Sequence, residues 1–324
     1  MNTVMIIPTG LGFEIGGHAG DATPAARLLG AVSDTLILHP NVVNASDINE
    51  MPANALYVDG YMLDSFLMGS IELCPVKSNR ILLAVNKPVK PETVNAVSTA
   101  RTTLGIDARI IELDTKLVMD GWVEDGMAGG SSSGIPELID QVKKNDFDAL
   151  AIATLIGVKK EVAMTYFKEG GVNPWGGIEA AVSRAVSSFL NKPVAHAPVE
   201  ADTMVVEDYM FVSDPRMAAE MISQCYLHCV LKGLHKAPRV GAGISYTSID
   251  VMVSPMCWGR PHKACNIQGI PIIMVEGNMT EDTIIKHDEI PAANYLEAAG
   301  IIAAMGAGIC LDSVRRPLKG TVVI

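Results

Sequence analysis

Residues 34–60 read DTLILHPNVVNASDINEMPANALYVDG, and residues 250–277 read DVMVSPMCWGRPHKACNIQGIPIIMVEG. Each opens on Asp with a short apolar run, meets a proline, crosses a polar loop and re-enters an apolar run ending Val-acid-Gly. Apolar runs bounded by Gly and Pro have the character of strands buried on both faces of a parallel sheet. Polar residues just past such strands stand where open α/β sheets hold ligands, here His39, Asn41 and Asn44, or Cys257, His262 and Asn266. The two stretches read as an internal duplication, or as two unrelated strand–loop–strand units.

Similar apolar runs recur at 4–7, 81–85, 109–113, 149–153, 193–196 and 308–311. Helical patterns fall between many of them, at 24–32, 91–104, 136–144, 174–190, 215–235 and 291–305. Each starts at or beside a proline, which suits a first helical turn because the missing N–H would be unpaired there. Thr23, Asn173 and Asp214 are the expected caps of three of them. This alternation predicts an α/β fold of mainly parallel sheets with helices on both faces. Two lobes are expected, 1–195 and 196–324, with an internal pseudo-symmetry if the repeat is real.

With 324 residues the chain is long enough for a large core and two domains. Apolar residues make up 49% and aromatics only 5%, and the net charge is −11. A field of that sign repels nucleic acid and anionic membrane surfaces, so neither is an expected partner. The six cysteines form no CxxC pair, and residues 1–12 lack a basic, apolar leader pattern; both point to a reduced, cytoplasmic protein. The apolar excess points to a homo-oligomer that acts on a small-molecule substrate.

The densest candidate site is IIPTGLGFEIGGHAGDATPAARLLG, residues 6–30. Gly10, Gly12, Gly16 and Gly17 would let backbone N–H groups approach a ligand, and His18, Asp21 and Thr23 add polar groups before the helix. The spacing is neither GxGxxG nor a P-loop, and a glycine-rich structural turn is the plain alternative. No organic cofactor is expected. A divalent metal on His18, Asp21 and His39 or His196 is a rival, although no HxH or HxxxH pair occurs.

Cys257 follows a strand, with His262 five positions on, so the thiol is either an acidified nucleophile or a small buried hydrophobe. His39 follows a strand, His196 stands at the C-terminal end of one, and either could move protons; a satisfied core histidine is the bland equivalent. Ser131, Ser132 and Ser133, in GGSSSG, would cradle an anion before a helix or belong to a flexible surface loop. The stretch 114–134 around them is expected to be a lid or a plain connection. Asn173 and Trp175, in NPWGG, wall a pocket or close the core. Asn278 and the asparagines of the first loop would hydrogen-bond a polar substrate, or serve turns.

The order strand–Cys257–x–Gly259–x–Pro261–His262 resembles the second cysteine motif of the aspartate/glutamate racemase superfamily, over this short segment only. Such enzymes carry a second cysteine in the matching half, where this chain has Asn41 after Pro40. Over nearly its whole length the chain resembles an uncharacterised family of bacterial, cyanobacterial and plant proteins, grouped under a domain of unknown function. IPTG (Ile7–Gly10), IGGHAGDATPAARLL (Ile15–Leu29), HPNVVNASD (His39–Asp47), NPWGG (Asn173–Gly177), AHAP (Ala195–Pro198) and LHCVLKGLHKAPR (Leu227–Arg239) carry that resemblance. It implies no activity. The residues themselves point to an enzyme for a small carboxylate- or carbonyl-bearing metabolite, working by hydrolysis or isomerisation. The alternatives are a metal-dependent hydrolase or lyase and a non-catalytic metabolite-binding protein. All depend on loops of both halves converging on Gly12, His18, His39, His196 and Cys257.

Overall fold

The computed structural model describes residues 1–18, 20–43, 51–199, 211–219, 226–280, 289–318, 320, 321 and 323. Its first sheet has six strands, all parallel, in the order β14 (Ile290–Ala292), β13 (Ile272–Met279), β12 (Val251–Met256), β1 (Asn2–Met5), β2 (Thr35–Leu38), β3 (Ala55–Tyr57). Both stretches quoted above are strand–helix–strand units of this one sheet, flanking β1. Val4 pairs with Ile37 on one side and Met252 on the other.

The second sheet runs β6 (Asp107–Leu113), β5 (Arg80–Asn86), β9 (Ala149–Gly157), β7 (Val118–Glu124), β8 (Met127–Ser133), and β10 (Val194–Val199) also pairs with β9. Its pairs are parallel except for the β7–β8 hairpin. A two-stranded ribbon joins β4 (Leu73–Cys74) to β11 (Arg239–Val240). Sheet membership therefore does not follow a cut after residue 195. The first sheet takes its strands from both ends of the chain and the second from its middle.

Alternation along the strands decides which helices cover which face. In the first sheet Met5, Leu38 and Val253 face α1 (Thr23–Gly30), α2 (Pro40–Val43) and α10 (Tyr295–Gly306). Val4, Ile37 and Met252 face α3 (Gly60–Leu67) and α9 (Arg260–Gln268). In the second sheet Leu83 and Ala151 pack with α4 (Pro91–Leu104) and α8 (Tyr226–His235). Leu82 and Leu150 pack with α5 (Ile135–Val142) and α7 (Gly176–Leu190). One apolar cluster includes residues of both sheets, so the two halves share a core. Among the described residues α6 (Lys160–Glu169) and the short α11 (Leu311–Val314) are further helices.

Several local expectations differ from the structure. Residues 118–133 are a β-hairpin, turned by Asp125 and Gly126 at positive φ, and not a loose lid. Thr23 is the first residue of α1 and no side chain caps that helix. Pro291 lies in edge strand β14, where a missing donor is tolerated, and Asn294 caps α10 by accepting from Leu296 and Glu297 N–H. Residues 308–311 form no strand: Gly308 sits at positive φ and Leu311 starts α11. Of the helix expected over 215–235, a single 3₁₀ turn at Pro215–Met217 and α8 are described; residues 220–225 lie outside the described set.

Candidate active site

A cavity of about 480 Å³ opens at the carboxyl ends of β1, β2, β3 and β12. The chain leaves β1 toward β2 on one side and returns beside it as β12, so the strand order reverses here, where open α/β sheets hold ligands. His39 and Asn41 enter from the end of β2, Asp59 from the end of β3, and residues 257–262 from the end of β12. The opposite wall is the end of β9, β10 with His196, and the N-terminal half of α7.

Sequence periodicity explains why α7 lines it. Ile178, Val182 and Val186 bury one stripe in the second sheet's core. Gly176, Glu179, Ala180, Ser183 and Arg184 form the adjacent stripe at i, i+3, i+4, i+7 and i+8, and all line the cavity. Two glycines make the close approach of this helix feasible. A Cβ on Gly176 would fall 2.8 Å from Thr9 Cγ2, and one on Gly177 would fall 2.2 Å from the Ala128 carbonyl oxygen. Asn173 Oδ1 accepts from Trp175 N–H (2.9 Å) and Gly176 N–H (3.2 Å), so this helix N-terminus already has a cap. Trp175 lines the cavity and also packs on Tyr166 and Phe167.

Four histidines reach the cavity wall, each with a different attachment. His196 Nδ1 lies 3.3 Å from Glu179 Oε1, and its Nε2 lies 2.9 Å from Thr154 Oγ1. The His196 side chain is 0% exposed and that of Glu179 is 17% exposed, so the carboxylate is the member of the pair that can meet a ligand. His39 accepts the Asn41 N–H at Nδ1 (3.3 Å), which leaves the neutral ring's proton on Nε2. Burial lowers its pKa to about 4, against a smaller opposing effect of a hydrogen bond with the Ile7 backbone. His18 pairs with Tyr166 Oη through Nδ1 at 3.1 Å. Burial first, and then the Arg216 charge, brings it to about 4, while Asp214 and Glu14 act the other way.

His262 and Cys257 do not form the activated thiol expected from their spacing. The Gly259 N–H donates to His262 Nδ1 (3.1 Å), so the neutral ring carries its proton on Nε2 and donates to Ser254 Oγ at 2.8 Å. The Cys257 sulfur is 3.9 Å from that nitrogen, which has no lone pair to take a thiol proton. Burial raises the Cys257 thiol to about 11 in spite of a hydrogen bond with Ser254, and lowers His262 to about 4. Near neutral pH both groups are uncharged.

The glycine loop is held mainly by the protein itself. Both Asp21 oxygens accept the Gly16 N–H (2.9 and 3.0 Å), and Asn41 Nδ2 donates to the Gly16 carbonyl (2.7 Å). Asn278 bonds both the N–H and the carbonyl of Ile15 and donates to Tyr295 Oη. Gly16 and Gly17 are packing glycines, since added Cβ atoms would fall 2.3 Å from Ile7 Cδ1 and 2.2 Å from the Phe13 carbonyl oxygen. Gly10, Gly17, His18, Asn41, Asn173, Trp175 and Cys257 line the cavity; Gly12, Gly16, Asp21, Thr23 and Asn278 do not. Ser131, Ser132 and Ser133 are exposed residues of β8, also away from the cavity, so the anion cradle expected of them is not formed. Asn44 lies outside the described residues.

Of the charged residues of the site, Asp59 is the acid of the Val-acid-Gly ending quoted above, while Asp64, Glu179 and Arg184 stand in no motif. Asp59 Oδ1 accepts the Tyr61 and Met62 N–H groups, and its Oδ2 accepts from Ser187 Oγ (3.1 Å) and Val194 N–H (3.4 Å). It thereby ties α3 to α7 and β10; burial raises its pKa to about 6 against those hydrogen bonds. Arg184 Nη1 donates to Asp64 Oδ2 (2.6 Å) and to the Gly60 carbonyl (3.3 Å). For Glu179 and Arg184 the available sequence signal was the polar stripe of α7 beside its apolar one. Among the described residues no three His, Cys, Asp or Glu side chains group closely enough to hold a metal, so the ligand set His18, Asp21 and His39 or His196 is not assembled. No described helix is long and apolar enough to cross a membrane.

Residues 2–315 match the sequence family described as "Protein of unknown function (DUF3326)". The chain is also 34% identical to an uncharacterized lipoprotein of Synechococcus sp., over 95% of this chain and 92% of the relative.

Proposed function

Because the chain belongs to this DUF3326 family, whose description assigns no chemistry, we propose its function from the cavity itself. It is an enzyme that moves a proton on a small carboxylate- or carbonyl-bearing metabolite, in an isomerisation or a hydrolysis. Glu179 is the catalytic base. The observation that supports this most directly is the Glu179–His196 pair, in which a partly exposed carboxylate is backed by a wholly buried imidazole.

His196 is the positioning residue. Its Nδ1–H donates to Glu179 and holds the carboxylate in one orientation, and Thr154 fixes the other ring nitrogen. His39 supplies the electrophile. The Nε2–H of its neutral ring, held on the Ile7 backbone in the structure, would turn to a substrate carbonyl whose oxygen gains negative charge as Glu179 removes the neighbouring proton.

The test is a turnover screen of small keto, hydroxy and amide acids with the wild type and two variants. Glu179→Gln is expected to lose about 10²- to 10⁴-fold in kcat while binding ligand within a few-fold of wild type. His196→Asn is expected to lose less and to move the acid limb of the pH profile. Glu179→Gln turning over at the wild-type rate would sink the proposal, and retained binding with no turnover by either protein would favour a metabolite-binding protein. The relative's name supports a membrane-anchored form against the cytoplasmic expectation; detergent partitioning of the native protein separates the two. A homo-oligomer stays part of the proposal on the strength of exposed Phe189 and Leu296, 77% and 73% accessible, and sedimentation velocity checks it.

A further inference from the structure

We infer that the cavity holds the carboxylate of an elongated ligand at Arg184, with Arg260 as the second cation of the same anion site. The inference rests on the acid–base reading above, since it places the far end of the molecule on which Glu179 acts.

Arg184 is presented by α7 and lines the cavity. Only its Nη1 is engaged by protein acceptors among the described residues, by Asp64 Oδ2 and the Gly60 carbonyl. Its Tyr61 neighbour, 5.9 Å from ring centroid to guanidinium carbon, limits the side chain's freedom further. Nε and Nη2 keep their hydrogens for another acceptor, and that free edge of a planar fork suits a carboxylate.

Charge points the same way. Asp64 lies on α3, which packs against both α7 and α9. Arg184 and Arg260 both favour the Asp64 carboxylate, against burial. The lining as a whole is balanced, with Asp59, Asp64 and Glu179 against Lys160, Arg184 and Arg260. At one end two guanidiniums share the single carboxylate of Asp64, and the open edge of Arg184, not a net positive field, is what draws an anion there.

Phosphate is the weaker fit. Asn173 already takes the Trp175 and Gly176 N–H groups at the start of α7, and Gly16 and Gly17 pack against Ile7 and Phe13 in place of cradling a ligand. Spacing sets the shape of the ligand. Glu179 and Arg184 share the cavity face of one helix and are separated by about 7.5 Å along its axis. A ligand that meets both side chains would span that rise, which favours a chain longer than that of 2-oxo or 2-hydroxy acids of two or three carbons.

The test is thermal denaturation of the full chain with malonate, succinate, glutarate and adipate, with the matching diamides as uncharged controls and inorganic phosphate as the rival anion. Glutarate and adipate are expected to raise Tm more than malonate or phosphate, and the diamides not at all. Arg184→Met should weaken the apparent Kd roughly 10- to 100-fold, with Arg184→Lys intermediate. If Arg184→Met alone fails to fold, Asp64→Asn combined with Arg184→Met removes the orphaned carboxylate and reads the same loss. Glu179→Gln should bind these probes at least as tightly as the wild type, since it removes a like charge at the far end, and should keep the same dependence on Arg184, so failure of the base shows in turnover and failure of the anchor shows in binding. Equal shifts with the diamides, a full response in folded Arg184→Met, or no shift with any dicarboxylate each overturns the assignment.

Discussion

At the scale of single residues, hydrogen-bond direction decides more than residue type. His262, in the first turn of α9, and His196, within β10, are both buried histidines, yet one ring is closed on a backbone N–H and a serine while the other faces a carboxylate. Cys257 follows its neighbours: burial holds the thiol at about 11, so little thiolate exists near neutral pH. In native protein treated with iodoacetamide at pH 7.5, Cys310, which is exposed, should be alkylated first, with Cys257 and Cys265 protected. Peptide mass spectrometry reads the order, and labelling of Cys257 as fast as Cys310 would return the thiol to consideration as a nucleophile. His18, His39, His196 and His262 were all recognisable beforehand, because a polar residue beside an apolar strand stands out. Glu179 was not, since an acid in the first turn of an amphipathic helix looks like any solvated one.

At the scale of elements, α7 carries the site, and its glycines allow the helix to sit where it does. Gly177→Ala is expected to destabilise the protein by about 1–3 kcal/mol, because the new Cβ meets the Ala128 carbonyl oxygen, a backbone atom that cannot swing aside. Gly300→Ala is the opposite case. That glycine is in the interior of α10 with nothing within 4 Å of an added Cβ, so about 0.5–1 kcal/mol of stabilisation is expected from helix propensity. Urea denaturation of the two variants checks both signs, and equal midpoints would contradict the packing account. The hairpin of β7 and β8 shows where local composition misleads. Glycines and serines in 118–133 look like a loop, yet pairing of β7 with β9 supplies hydrogen bonds that outweigh their weak strand preference.

For the whole molecule, burial sets a pH dependence. His18, His39 and His262 fall from the ordinary 6.5 to about 4, so their contribution is complete above pH 6.5 and is lost as pH drops toward 4. Asp21 and Asp59 rise from 3.8 to about 6, so their contribution is complete below 3.8 and is lost as pH climbs through 6. Three histidines outweigh two aspartates, and stability should fall on acidification from pH 6.5 to 4. His39→Gln should flatten the curve and Asp59→Asn should steepen it. Urea midpoints across that range decide, and midpoints that stay level or rise toward pH 4 would contradict this balance.

The chain's own order of residues determined the α/β class, the mainly parallel pairing and the placement of His39 just past a strand. Those follow from apolar runs, prolines and glycines, which act over a few neighbouring residues. Only the tertiary structure decided that both quoted units belong to one sheet, that α7 forms the opposite wall, and that Glu179, Asp64 and Arg184 face the cavity. These outcomes depend on contacts between segments more than a hundred residues apart, such as Ser187 with Asp59 across 128 positions. Local sequence patterns hold no record of such contacts, because the energy that selects them is released only when distant surfaces meet.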